Sequence, residues 1–188
     1  RIESWRDGAI WIESGGEPFN GPLGMFLDNI KCESFSLRGS AIKVANTCKD
    51  IHLRNAYMAM QAFGAGYSTP VNAIEWKAPG RNSITNVEIS NSGVATVKNG
   101  LFLSSNDTVV TDVEPAYGSA PTEKHILISG GSRYRFYGRN KPLLVTASAP
   151  TMTLFGEGLT EGTGTTAITK TTVSQPAAAG VARIAPPP

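Results

Sequence analysis

A repeat of short apolar segments is the feature that most limits how this chain of 188 residues can fold. Four times, a small residue precedes a triplet of the pattern apolar, variable, apolar, at positions 9–12, 41–44, 73–76 and 100–103. The first apolar residues of successive triplets are 32, 32 and 27 positions apart. Such a period is typical of chains made of stacked units, because each unit buries its apolar face only against the next unit.

A second class of segment alternates with the triplets along the chain. Each member places a polar residue before a short strand pattern, at positions 29–37, 50–53, 82–89, 107–110 and 125–128. Apolar residues recur with a period of two in both classes, which indicates strands with one face against a core. The Asn, Asp, Gly and Ser residues between the segments accept the backbone conformations of tight turns.

These patterns predict an all-β fold: a right-handed, single-stranded parallel β-helix with an extended C-terminal oligomerisation segment. In this arrangement the first apolar residues of the triplets stack on one another, and Ile51 stacks on Val87 and on the valines after Asp107. An antiparallel β-sandwich is the alternative. Its strands would follow one another at roughly 8 to 12 residues without the longer period.

The β-helix is predicted to cover residues 1–158. Residues 159–188 are rich in Thr, Ala and Pro and continue no strand repeat. Such a segment buries too little apolar surface to stay ordered alone, so we expect it to lie on neighbouring protomers of a homo-oligomer. The chain starts at Arg1 rather than at Met, which we interpret as a piece of a longer protein or a processed product.

The composition excludes several classes of partner. The net charge is only +2, whereas a nucleic-acid-binding face needs a dense cluster of basic residues, so we expect no nucleic acid partner. No run of about 18 apolar residues occurs, and membrane insertion is therefore not expected. Cys32 and Cys48 are predicted to be free buried thiols, with one disulfide as the alternative. Because no CxxC pair or Cys/His metal spacing occurs, we expect no metal site and no cofactor.

The repeats, an aromatic and glycine-rich edge and the Thr/Ala-rich C-terminal segment together resemble a bacteriophage tailspike over residues 20–188. This resemblance implies a homotrimer of parallel β-helices on the virion tail, outside the cell. It also implies recognition of bacterial surface polysaccharide, lipopolysaccharide or capsule, often with cleavage or deacetylation of the polymer. The repeats are similar to those of pectate-lyase-like enzymes as well. No stretch of the sequence matches a catalytic motif of either family.

Three acidic residues are the candidates for acid and base catalysis: Glu88, Asp112 and Glu114. Strand alternation turns them outward, because Val87 and Val113 point inward. Glu88 and Glu114 are 26 positions apart, so we expect them about 5 Å apart on neighbouring strands, where two like charges favour a shared proton. Glycoside hydrolysis needs carboxyl groups that converge in this way. The alternative is that all three are solvated outward side chains.

The candidate sugar-binding residues are His52, Arg133, Arg135, Tyr137 and Arg139. His52 is predicted to point outward on the same ladder as Glu88, with an ordinary surface histidine as the alternative. The others belong to a polar and aromatic segment, 133–141, in which alternation places Tyr134 and Phe136 on the opposite face. Guanidinium groups pair with carboxylates and aromatic faces stack on sugar rings, so this edge suits an acidic polysaccharide. Subunit contacts by the arginines are the alternative.

Three functions follow from these observations, and the sequence leaves open whether the chain is an enzyme. The first is a tailspike fragment that recognises polysaccharide and, in the complete spike, depolymerises it. The second is a purely structural, trimerising region with no active site of its own. The third is a free-standing pectinase-like lyase or hydrolase. The three tryptophans, Trp5, Trp11 and Trp76, are expected in the core or in an interface rather than as ligand platforms.

Overall fold

The computed structural model of the protein describes residues 2–3, 8–13, 24–34, 39–62, 71–93, 97–117, 124–137, 143–145, 151–155 and 169–173. These residues form strands and turns and no helix, so this part of the chain is all-β, as predicted. Within the same ranges there is accordingly no helix with the length and apolarity needed to cross a membrane.

The strands of the described part follow one another along the chain as Ile2–Glu3 (β1), Ile10–Ile12 (β2), Phe26–Ser34 (β3), Ile42–Val44 (β4), His52–Ala62 (β5), Ile74–Trp76 (β6), Asn82–Gly93 (β7), Asn99–Asn106 (β8), Thr108–Tyr117 (β9), Lys124–Ser132 (β10), Tyr134–Tyr137 (β11), Leu143–Val145 (β12), Thr151–Phe155 (β13) and Thr169–Val173 (β14). Short strands alternate with longer ones through most of the chain. This alternation corresponds to the two classes of segment in the sequence.

The strands form two sheets. The eight-stranded sheet has the order β1-β3-β5-β7-β9-β11-β13-β14, and the six-stranded sheet has the order β12-β10-β8-β6-β4-β2. From β1 to β13 the chain therefore visits the two sheets alternately. Every pairing between the described strands is parallel, which confirms the predicted parallel sheets and excludes the antiparallel sandwich for this part of the chain.

The register of the six-stranded sheet confirms the predicted stacking of the triplets. Their first apolar residues are Cα partners on successive strands: Ile10, Ile42, Ile74 and Leu101. The last three of these side chains are fully buried. In this register each apolar layer is covered by the next layer and is shielded from water. Full burial of one side chain of this size stabilises the fold by roughly 1.5 to 3 kcal/mol.

The predicted stacking of Ile51 on Val87 is wrong. Val87 is instead the Cα partner of Ala56 and Val113. Ile51 lies just before β5, and its backbone N–H donates to the side-chain oxygen of Asn82 at 3.1 Å. The prediction failed because it treated each long strand as a single straight segment, whereas the long strands bend.

A residue in the left-handed backbone region bends each of four long strands in the eight-stranded sheet. These residues occupy equivalent register positions and have φ between 49° and 54°: Asn29, Asn55, Asn86 and Asp112. Asn and Asp adopt this conformation more readily than other non-glycine residues, because the short polar side chain bonds locally. Each long strand thus has a first leg before the bend and a second leg after it, with separate rows of outward side chains.

The side chains at these bends are joined from strand to strand. The Asn55 amide donates to the Asp28 carboxylate at 3.0 Å, and the Asn86 amide donates to the Asn55 oxygen at 2.8 Å. The bonds run in the direction in which the strands stack. The bends therefore stabilise the register as well as the turn.

The inward side chains of both sheets form one apolar cluster. Its largest fully buried members are Trp76, Tyr134 and Phe136, which confirms the core prediction for Trp76. Cys32 and Cys48 are both buried and free, as predicted. A shared core makes the two sheets one packing unit.

Strand β14 lies within the segment 159–188. All five of its residues pair in parallel with β13, so the prediction that no strand continues in this segment is wrong for Thr169–Val173. The prediction relied on apolar repeats, whereas strand pairing is made by backbone groups and is favoured by Thr. The boundary at residue 158 and the contact with other protomers stay predictions.

Candidate functional site

The structure brings the two predicted catalytic glutamates together. Glu88 and Glu114 are Cα partners on the neighbouring parallel strands β7 and β9, which lie about 4.8 Å apart. Val87 and Val113 are buried beside them, so both carboxylates point outward as predicted. Glu88 is exposed and Glu114 is half-buried. The register thus places the two glutamates side by side on the outer surface, and the catalytic role itself stays a prediction.

Asp112 lies at the bend of β9, two residues before Glu114. The row of the two glutamates continues across the sheet towards β3, and Tyr57 in β5 and then Lys31 in β3 occupy the equivalent positions. The Lys31 ammonium group is 5.4 Å from the centroid of the Tyr57 ring. A shallow cleft of about 390 Å³ lies along this row and includes Tyr57 and Glu88. The second legs therefore carry both charge signs and one aromatic ring on a nearly flat surface.

His52 lies on the first leg of β5 and points outward. Its ring stacks on Phe26 with centroids 4.7 Å apart, and its Nδ1 is 2.9 Å from the Ser83 hydroxyl oxygen. His52 and Glu88 belong to the same ladder of paired strands, as predicted. The bend at Asn86 separates Ser83 from Glu88, so His52 lies on the first leg and Glu88 on the second. An imidazole and a hydroxyl held in this way can exchange a proton or bind a ligand hydroxyl.

Arg135 and Tyr137 lie in β11 and point outward, opposite to the buried Tyr134 and Phe136, as predicted. Their Cα partners in β9 are Val109 and Thr111, which places them on the same first-leg surface as His52. Arg139 lies outside the described residues. The structure therefore collects three of the predicted sugar-binding residues on one surface.

Arg133 precedes β11 and is engaged by its own chain. Its Nε and Nη2 donate to the two carboxylate oxygens of Asp107 at 2.5 and 2.6 Å. The Arg133 guanidinium holds the pKa of Asp107 below its usual range, and Asp107 raises the pKa of Arg133 in return. This bidentate contact uses the same donors that would bind an acidic sugar.

Trp11 is the functional candidate that the sequence reasoning missed. Its side chain is 63% exposed, so this tryptophan does not lie in the core of the chain, and the interface position stays a prediction. Trp5 lies outside the described residues. The sequence already indicated an outward side chain, because Trp11 is the middle residue of a triplet whose first and third residues point inward. In the same triplet position, β4 carries Lys43 and β6 carries Glu75.

A groove of about 560 Å³ crosses the outer surface of the six-stranded sheet next to Trp11. One row of the lining consists of the middle residues of three triplets, Trp11, Lys43 and Glu75. A second row of the lining consists of residues that precede the same strands and β8: Gly8, Ser40, Asn72 and Lys98. Because each row takes one residue from each successive strand, its positions repeat at about 4.8 Å.

Hydrogen bonds and charges orient the polar groups of this groove. The buried Asn99 amide donates to the Asn72 side-chain oxygen at 2.9 Å, so the Asn72 amide nitrogen is the group that can donate to a ligand. The Lys43 ammonium group is 4.6 Å from the centroid of the Trp11 ring. The Trp11 ring can therefore stack on a ligand ring, and the polar side chains of the groove can form hydrogen bonds with the hydroxyl groups around that ring.

Thiol and metal chemistry are not favoured in the described part. Burial raises the pKa of the Cys32 thiol to about 11, and burial also raises the pKa of Cys48. Reactive cysteines need the opposite shift, since the thiolate is the nucleophile and metal ligand. Among the residues that the structure describes, no group of three His, Cys, Asp or Glu side chains converges as metal ligands would.

Together these features define a class: an all-β protein of two parallel sheets whose outer surfaces carry rows of aromatic and charged side chains. No known family model matches the chain, and no curated protein and no solved structure is significantly similar to it.

Proposed function

We propose that this chain is a right-handed parallel β-helix from a bacteriophage tailspike, that it acts as a homotrimer on the virion tail, and that it binds bacterial surface polysaccharide. The groove beside Trp11 is the proposed binding site, for the glycan of lipopolysaccharide or of a capsule. The alternation of successive strands between two parallel sheets supports the β-helix, since a chain that coils around an axis has this connectivity.

The observation that carries the proposal is the exposed ring of Trp11 in a groove with polar walls. Sugar rings have apolar faces and a rim of hydroxyl groups, so they suit an aromatic surface beside amide, hydroxyl and charged groups. The groove follows the direction in which the strands stack. A polymer that lies in it therefore meets a new wall residue at each strand.

Trp11 and Phe26 allow a matched test of this site, because their side chains are 63% and 64% exposed and lie on different sheets. We would measure binding of the whole chain to a panel of purified lipopolysaccharides and capsular polysaccharides by calorimetry. Trp11→Ala is expected to weaken binding by about tenfold to a hundredfold, and Phe26→Ala by less than about threefold. Thermal unfolding of both variants would verify that each is folded.

The opposite result, with binding lost in Phe26→Ala and kept in Trp11→Ala, would show that the glycan binds on the surface that carries His52 and Arg135 instead. Absence of binding across the panel would contradict polysaccharide recognition itself. In that case the purely structural role would be the better explanation.

The glutamate pair decides whether the chain also cleaves its ligand. Incubation with a bound polysaccharide, followed by size analysis of the polymer, would show shortened chains if Glu88 and Glu114 act as acid and base. Glu88→Gln should then abolish shortening while binding persists. Shortening that is unchanged in Glu88→Gln would remove this residue from any catalytic role.

A further inference from the structure

The distribution of charge in the Trp11 groove indicates the chemical class of its ligand. Two lysines, Lys43 and Lys98, line the groove. The acidic residue of the lining, Glu75, forms an ion pair with Lys77 at 2.6 Å. The charge of Glu75 is thus offset within the chain, and the groove remains positive.

Two cations on the eight-stranded sheet lie beside carboxylates of their own chain. Arg54 contacts Asp28 at 2.8 Å, and Lys31 contacts Glu33 at 3.0 Å. Lys43 forms no such ion pair with a described residue, and its ammonium group lies over the Trp11 ring. A cation held against an aromatic ring keeps its donors for an anion that approaches from the groove.

We infer that the groove binds an acidic polysaccharide, with a carboxylated sugar ring stacked on Trp11 and its carboxylate held by Lys43. This inference rests on the proposed glycan binding at the same groove. A charge-assisted hydrogen bond is roughly twice as strong as a neutral one, and Lys43 is half-buried, which reduces screening by solvent.

The test compares each acidic polysaccharide that binds with the same polymer after reduction of its carboxyl groups to alcohols. Reduction keeps the sugar rings and removes the charge, so binding is expected to weaken roughly tenfold or more. The affinity for the native polymer divided by the affinity for the reduced polymer should fall towards one in Lys43→Met. Met retains most of the apolar stem of lysine and loses its charge. Lys31→Met is the matched control, since Lys31 also lies near an aromatic ring but on the other sheet.

Each outcome decides one of the two proposals. Equal binding of native and reduced polymer, with Trp11→Ala still deficient, overturns the acidic class and leaves glycan binding in place. An equal effect of Lys31→Met and Lys43→Met also overturns it, because the charge effect would then not belong to the groove. If no polymer of the panel binds, the proposed function fails, and this inference fails with it.

Discussion

The two sheets use their outward polar side chains differently. On the eight-stranded sheet these side chains contact one another from strand to strand, as Arg54 does with Asp28 at 2.8 Å and His52 with Ser83 at 2.9 Å. On the six-stranded sheet two rows of residues line a groove, with Trp11 at one end. The eight-stranded sheet carries the shallow cleft of about 390 Å³, and the six-stranded sheet carries the larger groove of about 560 Å³.

This difference separates stabilisation from recognition. In a parallel stack, each side chain has a neighbour at the equivalent position of the next strand, so polar pairs between such neighbours hold the register. Side chains that line a space contribute less to the stack and remain accessible to a ligand. Changes on the eight-stranded sheet should therefore reduce stability, and changes in the groove should reduce binding.

The largest loss of stability is expected from Asn82→Ala at the start of β7. Asn82 is 2% exposed, accepts from the Ile51 N–H, and donates to the carbonyls of Ala78 and Gly80 at 2.7 and 2.9 Å. Its removal leaves several backbone groups without partners, two of them in buried bonds, which we expect to lower the free energy of unfolding by about 4 kcal/mol. Urea denaturation would measure this value.

Asn86 is the matched control in the same strand, because it is exposed and bonds to Asn55 at 2.8 Å. Asn86→Ala should lower the free energy of unfolding by only about 1 kcal/mol, because Ala adopts the left-handed backbone less readily than Asn and one exposed hydrogen bond is lost. Equal losses in the two variants would show that the buried polar contacts do not dominate the stability of this sheet.

The second effect is a loss of stability in acid, which arises where the two sheets meet. His125 in β10 is buried and bonds through Nε2 to the backbone oxygen of Val113 in β9 at 2.9 Å. Burial lowers its pKa from 6.5 to about 4. The unfolded chain therefore binds a proton more readily than the folded chain between these values. Stability from this group is present above pH 6.5 and falls by about 3 kcal/mol as the pH drops to 4.

Substitution of His125 tests this pH dependence directly. Unfolding measured between pH 7 and pH 4 should show a flatter profile in His125→Gln than in the parent chain. If His125→Gln retains the full slope, carboxylates rather than the contact between the sheets account for the loss in acid.

The smallest effect is expected from Asp107→Asn, which removes the ion pair with Arg133 on the eight-stranded sheet. Asn accepts the left-handed backbone of this position, where φ is 54°, so the substitution mainly removes charge. The pair is largely exposed, and such pairs contribute little once salt screens them. Melting temperatures should differ slightly between parent and variant at low salt and coincide at high salt. A difference that persists at high salt would mean that the contact acts through its hydrogen bonds.

The sequence predicted the inward residues well, because alternation and repeat length are properties of short segments. The triplets aligned correctly from Ile10 to Leu101, and the 26-residue interval placed Glu88 beside Glu114. Ile51 was misplaced, since nothing in the period-two pattern marks the bend at Asn55. Trp11 was assigned to the core or an interface from its residue type, although its position in the triplet indicated an outward side chain.

By itself the sequence determined which residues face the core and that strands recur once per repeat, since a hydrophobic pattern is already present in the order of the residues. Only the tertiary structure decided where the long strands bend and which outward rows lie opposite each other. The groove depends on residues from four separate segments, such as Trp11 and Lys98, whose distance is set by the packing of the strands between them.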